Sequence, residues 1–174
     1  MSWKLDIGAT PGSAGTHFRV WAPNARRVEV ILFDQGRRSG SHPLEREADG
    51  YFAATLAGVS AGARYMYQLD GGSPRPDPAS RFQPDGVHGP SEVVDPAAFQ
   101  WSDAGWRGVA LDDLIIYELH VGAATLEGTF DALIERLDDL RELGVTALEL
   151  LPLADFPGQR NWGYDGVNLF APSR

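Results

Sequence analysis

The chain has 174 residues, 43% of them hydrophobic, a net charge of −9 and no cysteine, which is ordinary for one or two globular domains. The acidic balance argues against binding to nucleic acid, and the absence of cysteine excludes disulfides, thiol nucleophiles and Cys-ligated zinc. The four histidines show no metal-ligand spacing and no segment resembles a signal core or a membrane span, so we expect a cytoplasmic protein without metal, cofactor or membrane partner.

The first part of the chain is predicted to form short β-strands separated by turns. Residues 17–21 alternate between apolar and polar side chains and are followed by turn formers. Asp49-Gly50 is a hairpin signal between two later strands, and a further strand covers residues 65–69. Strands at this spacing indicate a β-sandwich of roughly a hundred residues, which we place at residues 1–95.

Three aromatic residues of this predicted sandwich are candidates for the core or for a ligand surface. We expect Trp21 to lie in the core. Tyr65 and Tyr67 share one face of their strand because side chains alternate. That face is expected to pack in the core, with a sugar-binding platform as the alternative.

The following segment is dense in proline and predicts an irregular connection. Proline lacks an amide donor and pushes the residue before it out of the helical region, so residues 73–96 are expected to be extended. Phe99, Trp101 and Trp106 then offer aromatic anchors. We place a linker at residues 96–112.

The last part of the chain predicts a strand, a helix and a second, parallel strand. Residues 114–121 and 145–152 are apolar runs, as expected of parallel strands covered on both faces. Thr129 predicts the N-cap of the helix and Gly144 its C-terminal cap. The apolar stripe of the helix consists of Phe130, Leu133, Ile134, Leu137, Leu140 and Leu143. We interpret residues 113–174 as the first β-α-β unit of an incomplete TIM (β/α)8 barrel.

Three polar residues on the two strands are predicted to point into the barrel. Glu118 and His120 share one face of the first strand, and Glu149 lies on the second. The two glutamates could be the paired carboxylates of a glycosidase. We favour the alternative, a polar network on the barrel floor that also includes His120.

The loop after the second strand has the composition of a sugar-binding site. Asn161, Trp162, Tyr164 and Asp165 lie within a few residues of one another. Aromatic rings stack on the apolar faces of sugar rings, and planar polar side chains hold hydroxyls around the rim. The composition alone leaves a second reading equally open, in which the two aromatic rings simply plug the mouth of the barrel.

Several of these motifs resemble the α-amylase family of glycoside hydrolases. The similarity lies in residues 117–122, 149–153 and 162–165, and residues 18–23 resemble the immunoglobulin-like N-terminal module of the family's glycogen-active members. Two longer strings, residues 77–90 and 155–167, resemble the maltooligosyl trehalose trehalohydrolases within that family. The resemblance therefore implies a multidomain α and β protein, with an immunoglobulin-like β-sandwich followed by the start of a barrel.

The same resemblance implies the N-terminal part of a hydrolase that releases trehalose. The enzyme would cleave the α-1,4 bond next to a terminal trehalose unit of a maltooligosaccharide. Tyr164 matches the tyrosine that stacks on the sugar at the cleaved bond, and Asn161, Trp162 and Asp165 match positions that line the same pocket. The family's catalytic aspartates and glutamate follow the fourth, fifth and seventh barrel strands, so no residue here is assigned a catalytic role.

Two other readings stay open at this point. The chain could be a free-standing α-glucan-binding module with a vestigial tail, or a fragment of a glycogen branching or debranching relative. As an enzyme fragment, the isolated chain is expected to lack hydrolase activity and to bind maltooligosaccharide weakly or not at all, whereas a free-standing module would bind amylose or maltooligosaccharide measurably.

Overall fold

The computed structural model describes residues 6–173, which divide into two units. The first unit contains the chain up to Ala98, together with Ala154–Gly158 and residues 166–173. The second unit contains Phe99–Leu153 and Gln159–Asp165. Within the described residues, no helix is long and apolar enough to cross a membrane.

The first unit is built mainly from antiparallel strands in two sheets, which confirms the predicted β-sandwich. Its strands up to Ala98 are β1 (Gly8–Gly12), β2 (Gly15–Trp21), β3 (Val28–Asp34), β4 (Arg37–Pro43), β5 (Glu45–Arg46), β6 (Tyr51–Leu56), β7 (Arg64–Leu69) and β8 (Ser91–Glu92). One sheet has the strand order β1-β2-β6-β5 and the other the order β4-β3-β7-β8. Short 3₁₀ turns lie at Ala48–Gly50 and Pro96–Ala98.

The core of the sandwich follows the alternation of its strands. Phe18 is fully buried, and its ring meets the ring of Tyr65 edge to face with the centroids 4.9 Å apart. Rings in this arrangement contribute beyond the area that they bury. The buried residues of this core are Ala9, Phe18, Val20, Ala22, Ala25, Val28, Val30, Leu44, Phe52, Tyr65, Tyr67 and Val93.

Two expectations about aromatic residues are corrected by the structure. Trp21 is 61% exposed and not in the core, because it shares the outward parity of Arg19 while Phe18 and Val20 point inward. Tyr65 and Tyr67 do share a face, but each is only 1% exposed. They are core residues, so the sugar platform considered for them is wrong.

The proline-rich segment is irregular, as predicted, and a buried polar network ties it to the sandwich. The Asp77 carboxylate accepts hydrogen bonds from the Tyr65 hydroxyl at 2.6 Å and the Ala79 amide at 2.7 Å. The Asp77 amide donates to Ser91 Oγ at 3.0 Å, and that hydroxyl donates to the Gln83 side chain at 2.6 Å. This network places a carboxyl group in the interior, where satisfied hydrogen bonds offset the cost of its burial.

Burial makes the stability of the sandwich depend on pH through Asp77. Desolvation is the main reason that the pKa of Asp77 rises from 3.8 to about 6. The folded state therefore holds a proton that the unfolded state releases near pH 4, so this group's contribution to the free energy of unfolding falls as pH rises from 4 to 6. We expect the stability difference between the wild type and Asp77→Asn to be about 2 kcal/mol more favourable to the wild type at pH 4 than at pH 7.

Urea denaturation of both proteins across pH 4–7 measures this contribution. Comparison with Asp77→Asn cancels the other titrating groups, including Glu29, whose pKa is lowered mainly by its hydrogen bond from Ser41. A stability difference that stays constant over this pH range would show that Asp77 does not titrate differently in the folded state.

The second unit contains the predicted strand, helical segment and parallel strand. Its elements are a 3₁₀ turn at Leu111–Asp113, β9 (Ile116–Leu119), α1 (Val121–Ala124), α2 (Phe130–Ile134), α3 (Leu137–Glu142) and β10 (Ala147–Leu150). Strands β9 and β10 pair in parallel. Thr129 caps α2 by accepting the Ala132 amide at 3.3 Å, and Gly144 has a φ of 100° after α3. The predicted single helix is wrong, because it breaks between Ile134 and Leu137 into two short helices.

Much of the apolar surface of the second unit is uncovered. Its small core consists of Leu119, Val121 and Leu133, whereas Ile134 and Leu143 of the helical stripe are exposed. Strand β11 (Ala154–Asp155) and strand β12 (Asn168–Pro172) follow and pair antiparallel within the first unit.

Candidate functional site

The four predicted sugar-binding residues all lie in the segment Gln159–Asp165 of the second unit. Trp162 is 82% exposed and Tyr164 72% exposed. Asn161 is half-buried and Asp165 is exposed. The two aromatic rings are therefore accessible to a ligand, and they do not plug a cavity formed by the described residues of this unit.

The Asn161 side chain shapes the backbone of this loop. Its Oδ1 accepts the amide of Gly163 at 2.9 Å and the amide of Asp165 at 3.4 Å. Gly163 is buried with a φ of 103°, and a Cβ there would lie 2.6 Å from the carbonyl oxygen of Pro152. Only glycine fits this position, and the tight turn leaves Trp162 and Tyr164 facing outward on either side of it.

His120 fastens the loop to the end of strand β9. Its Nε2 lies 2.7 Å from the carbonyl oxygen of Asn161. Because a carbonyl oxygen only accepts, Nε2 must carry the hydrogen. His120 Nδ1 and Asn161 Nδ2 are buried without a hydrogen-bond partner among residues 6–173. The pair therefore offers one acceptor and one donor for a further contact.

Glu118 and Glu149 are directly paired on strands β9 and β10. Their side chains stand on the same face of the two-stranded sheet, and both residues are exposed. Among the described residues no hydrogen bond joins them to each other or to His120, so the barrel-floor network stays a prediction. Within the same part of the chain no three His, Asp or Glu side chains are grouped as metal ligands.

Asn161→Ala is expected to loosen the loop without unfolding the unit. The change removes the acceptor of two backbone amides, and one net hydrogen bond contributes about 1 kcal/mol. We expect the Gly163 and Asp165 amides to exchange with deuterium about fivefold faster or more. Asn161→Asp keeps an acceptor oxygen and serves as the control, with exchange close to the wild type. Equal exchange in the alanine variant would show that Asn161 does not organise the loop.

Sequence reasoning identified the loop but missed one contact within it and the exposure of one aromatic residue of the sandwich. The bond between His120 and Asn161 joins residues far apart in the sequence, and no local pattern indicates it. The outward position of Trp21 on strand β2, by contrast, was readable from the strand alternation.

Comparison with known proteins places this chain beside α-glucan enzymes. Residues 6–98 match the model of carbohydrate-binding module 48, the isoamylase N-terminal domain. Malto-oligosyltrehalose trehalohydrolase from Saccharolobus solfataricus is 50% identical over 90% of this chain and 27% of its own length. The enzyme of the same name from Deinococcus radiodurans is 49% identical over 97% of this chain and 27% of its own length. The chain thus spans about a quarter of the curated relatives that it matches.

Solved structures give the same picture of the fold. A putative α-amylase from Salmonella typhimurium matches with a TM-score of 0.88 and 41% identity, covering 98% of this chain and 29% of that one. A pullulanase from Paenibacillus barengoltzii, solved in complex with maltohexaose and α-cyclodextrin, matches with a TM-score of 0.81 and 25% identity. It covers 98% of this chain, which spans 32% of the pullulanase.

Proposed function

The chain belongs to the carbohydrate-binding module 48 family, and on that premise we propose that it forms the N-terminal portion of a trehalose-releasing glycoside hydrolase. The observation that carries this proposal is the 49% identity over 171 residues, which covers both structural units. The enzyme would cleave the α-1,4 bond next to the terminal trehalose of a maltooligosaccharide. Trehalose would be the product.

We further propose that the second unit begins a (β/α)8 barrel. Parallel strands joined by a helical crossover are the repeating unit of that fold, and β9 and β10 have this relation. The exposed apolar side chains of α2 and α3 are consistent with a face that further barrel elements cover. In this reading residues 1–95 are the sandwich, 96–112 the linker and 113–174 the start of the barrel.

The loop after β10 would form one wall of the substrate pocket. In a parallel barrel the active site is built from the loops that follow the strands, and Gln159–Asp165 comes after β10 in the chain. Tyr164 would stack on the sugar at the cleaved bond, with Trp162 beside it. Asp165 and Asn161 would hold hydroxyl groups, through a carboxylate that accepts and an amide that does both.

The chemistry of bond cleavage would come from other parts of the enzyme. Cleavage of this kind needs two carboxyl groups on opposite sides of the glycosidic bond. Glu118 and Glu149 are paired on neighbouring strands, and nothing in their arrangement distinguishes an acid from a nucleophile, so we keep them as polar residues of the barrel floor. This chain would therefore contribute substrate binding and orientation.

A second role follows for the sandwich. The matched family is described as a carbohydrate-binding module, and the similar pullulanase was solved with maltohexaose and α-cyclodextrin. We propose that the sandwich binds α-glucan chains. Binding there would keep a polymeric substrate attached to the enzyme and raise its effective concentration.

A chimeric enzyme tests the proposed function. The first quarter of the Deinococcus radiodurans relative would be replaced by this chain, to which it is 49% identical. The chimera is expected to release trehalose from maltooligosyl trehalose, measured by chromatography. The relative without its first quarter and this chain alone serve as controls, and neither is expected to release trehalose.

A further inference from the structure

The outer face of the sheet β1-β2-β6-β5 carries an exposed tryptophan. Trp21 ends β2 and is 61% exposed. Tyr51 lies directly opposite it on β6 and is half-buried. A large apolar ring at the surface of a sheet gains free energy when a ligand covers it, because burial of apolar area is favourable.

The indole ring of Trp21 is fixed before any ligand arrives. Its Nε1 donates to the carbonyl oxygen of Asp49 at 3.0 Å, and the Ala22 amide donates to the carbonyl oxygen of Gly50 at 2.9 Å. These bonds tie the end of β2 to the turn before β6. A ring held in place loses little conformational entropy on binding, and with its N–H already used it offers a flat apolar face.

Charged groups lie on the same face of the sheet as Trp21, because Arg19 shares its strand parity. The Arg19 guanidinium carbon sits 3.9 Å from the centroid of the Tyr51 ring, so the face of Tyr51 is already covered. Arg19 also donates to the carboxylates of Glu47 at 2.7 Å and Asp6 at 2.9 Å. Both carboxylates are partly exposed and keep lone pairs that hydroxyl groups can use.

This combination fits a neutral, hydroxyl-rich ligand. Carboxylates beside the ring disfavour an anionic polymer such as nucleic acid. A single indole provides far less area than the roughly 800 Å² per partner of a standard protein interface. A glucose ring presents an apolar C–H face that stacks on indole, while its hydroxyls reach the polar groups around the rim.

We propose that Trp21 is the stacking platform through which this sandwich binds α-glucan. The proposal rests on the glucan-binding role proposed above and locates the contact on the outer face of the first sheet. Tyr65 and Tyr67, which the sequence had offered as the alternative, are enclosed in the core. The Trp21 ring stacks on one glucose unit, and Glu47 and Asp6 accept hydroxyl groups from the same unit or its neighbour.

Calorimetric titration of the 174-residue chain with maltoheptaose tests the proposal. Trp21→Ala is expected to weaken binding about tenfold or more, since truncation of a central aromatic contact is among the costliest interface changes. Trp21→Phe keeps a smaller ring and is expected to bind with intermediate affinity. Trp101→Ala is the matched control, because Trp101 is also exposed but lies in the linker segment.

Thermal melting of each variant distinguishes loss of the platform from loss of the fold, and Trp21→Phe keeps the test valid if the alanine variant does not fold. The proposal is overturned if folded Trp21→Ala binds as the wild type does, as expected if Trp21 packs on another part of a longer protein. It is also overturned if Trp101→Ala loses as much affinity, or if the wild type does not bind. None of these outcomes alters trehalose release by the chimera. The Trp21 platform and the proposed trehalose-releasing function can therefore fail independently of each other.

Discussion

Phe18→Ala is expected to lower the free energy of unfolding of the sandwich by about 3–5 kcal/mol. Phe18 is fully buried at the centre of β2 and contacts the ring of Tyr65 edge to face. Truncation leaves a cavity that neighbours in two sheets cannot fill without moving. Because domains of this size are stabilised by only about 5–15 kcal/mol, the loss takes a large share of the total.

Urea denaturation followed by circular dichroism measures this loss. Phe99→Ala is the matched control, since Phe99 has the same side chain in a position that is 64% exposed. The free energy of unfolding of this variant is expected to differ from that of the wild type by less than about 0.5 kcal/mol. Equal effects of the two substitutions would mean that Phe18 is not a core residue and that the two-sheet packing is incorrect.

Tyr164→Ala in the chimeric enzyme is expected to lower kcat/KM for trehalose release about a hundredfold. The ring is fully available to a ligand, being 72% exposed on a loop shaped by Asn161 and Gly163. A stacking contact that orients the sugar at the cleaved bond acts in the transition state, and a hundredfold loss corresponds to about 2.7 kcal/mol of stabilisation. The loss should appear in kcat as well as in KM.

Tyr164→Phe separates stacking from hydrogen bonding at the same position. The phenyl ring keeps the stacking surface, so this variant is expected to retain kcat/KM within about fivefold of the unmodified chimera. A full loss in Tyr164→Phe would assign the role to the hydroxyl group. Full activity in Tyr164→Ala would remove Tyr164 from the substrate pocket altogether.

The elements that local patterns specify were predicted from the sequence. The Asp49-Gly50 turn joins β5 to β6, and Thr129 caps the helix that it was expected to cap. The expected core position of Trp21 is wrong, because Trp21 shares the outward strand parity of Arg19. No proline or glycine lies at the break after Ile134, so the sequence does not indicate that α2 and α3 are separate helices.

The candidate site was predicted in composition but not in geometry. Asn161, Trp162 and Tyr164 were identified because aromatic and amide groups cluster in one loop. Which of them faces outward depends on Asn161 Oδ1 holding the backbone and on His120 reaching the same residue from β9. Contacts between residues distant in sequence arise from the fold, and a single sequence does not contain them explicitly.

The sequence likewise did not indicate that the Asp77 carboxyl group is buried in a polar network. Asp77 lies in a proline-rich segment that was expected to be only a connection. In the structure its carboxyl group is buried inside the sandwich, where desolvation raises its pKa. Its hydrogen bond from the Tyr65 hydroxyl ties the segment to the sandwich. Acidic residues are rarely buried without partners, so composition alone favoured a solvated position.

The initial rate of trehalose release by the chimera shows whether this chain is the N-terminal part of a trehalose-releasing hydrolase. The chimera joins this chain to the last three quarters of the Deinococcus radiodurans relative, and its rate on maltooligosyl trehalose is compared with that of the intact relative. We expect a rate within about tenfold of the intact enzyme, since about 1.4 kcal/mol is a modest cost for a replaced domain interface. A folded chimera that binds maltooligosaccharide but releases trehalose no faster than the truncated relative would contradict it.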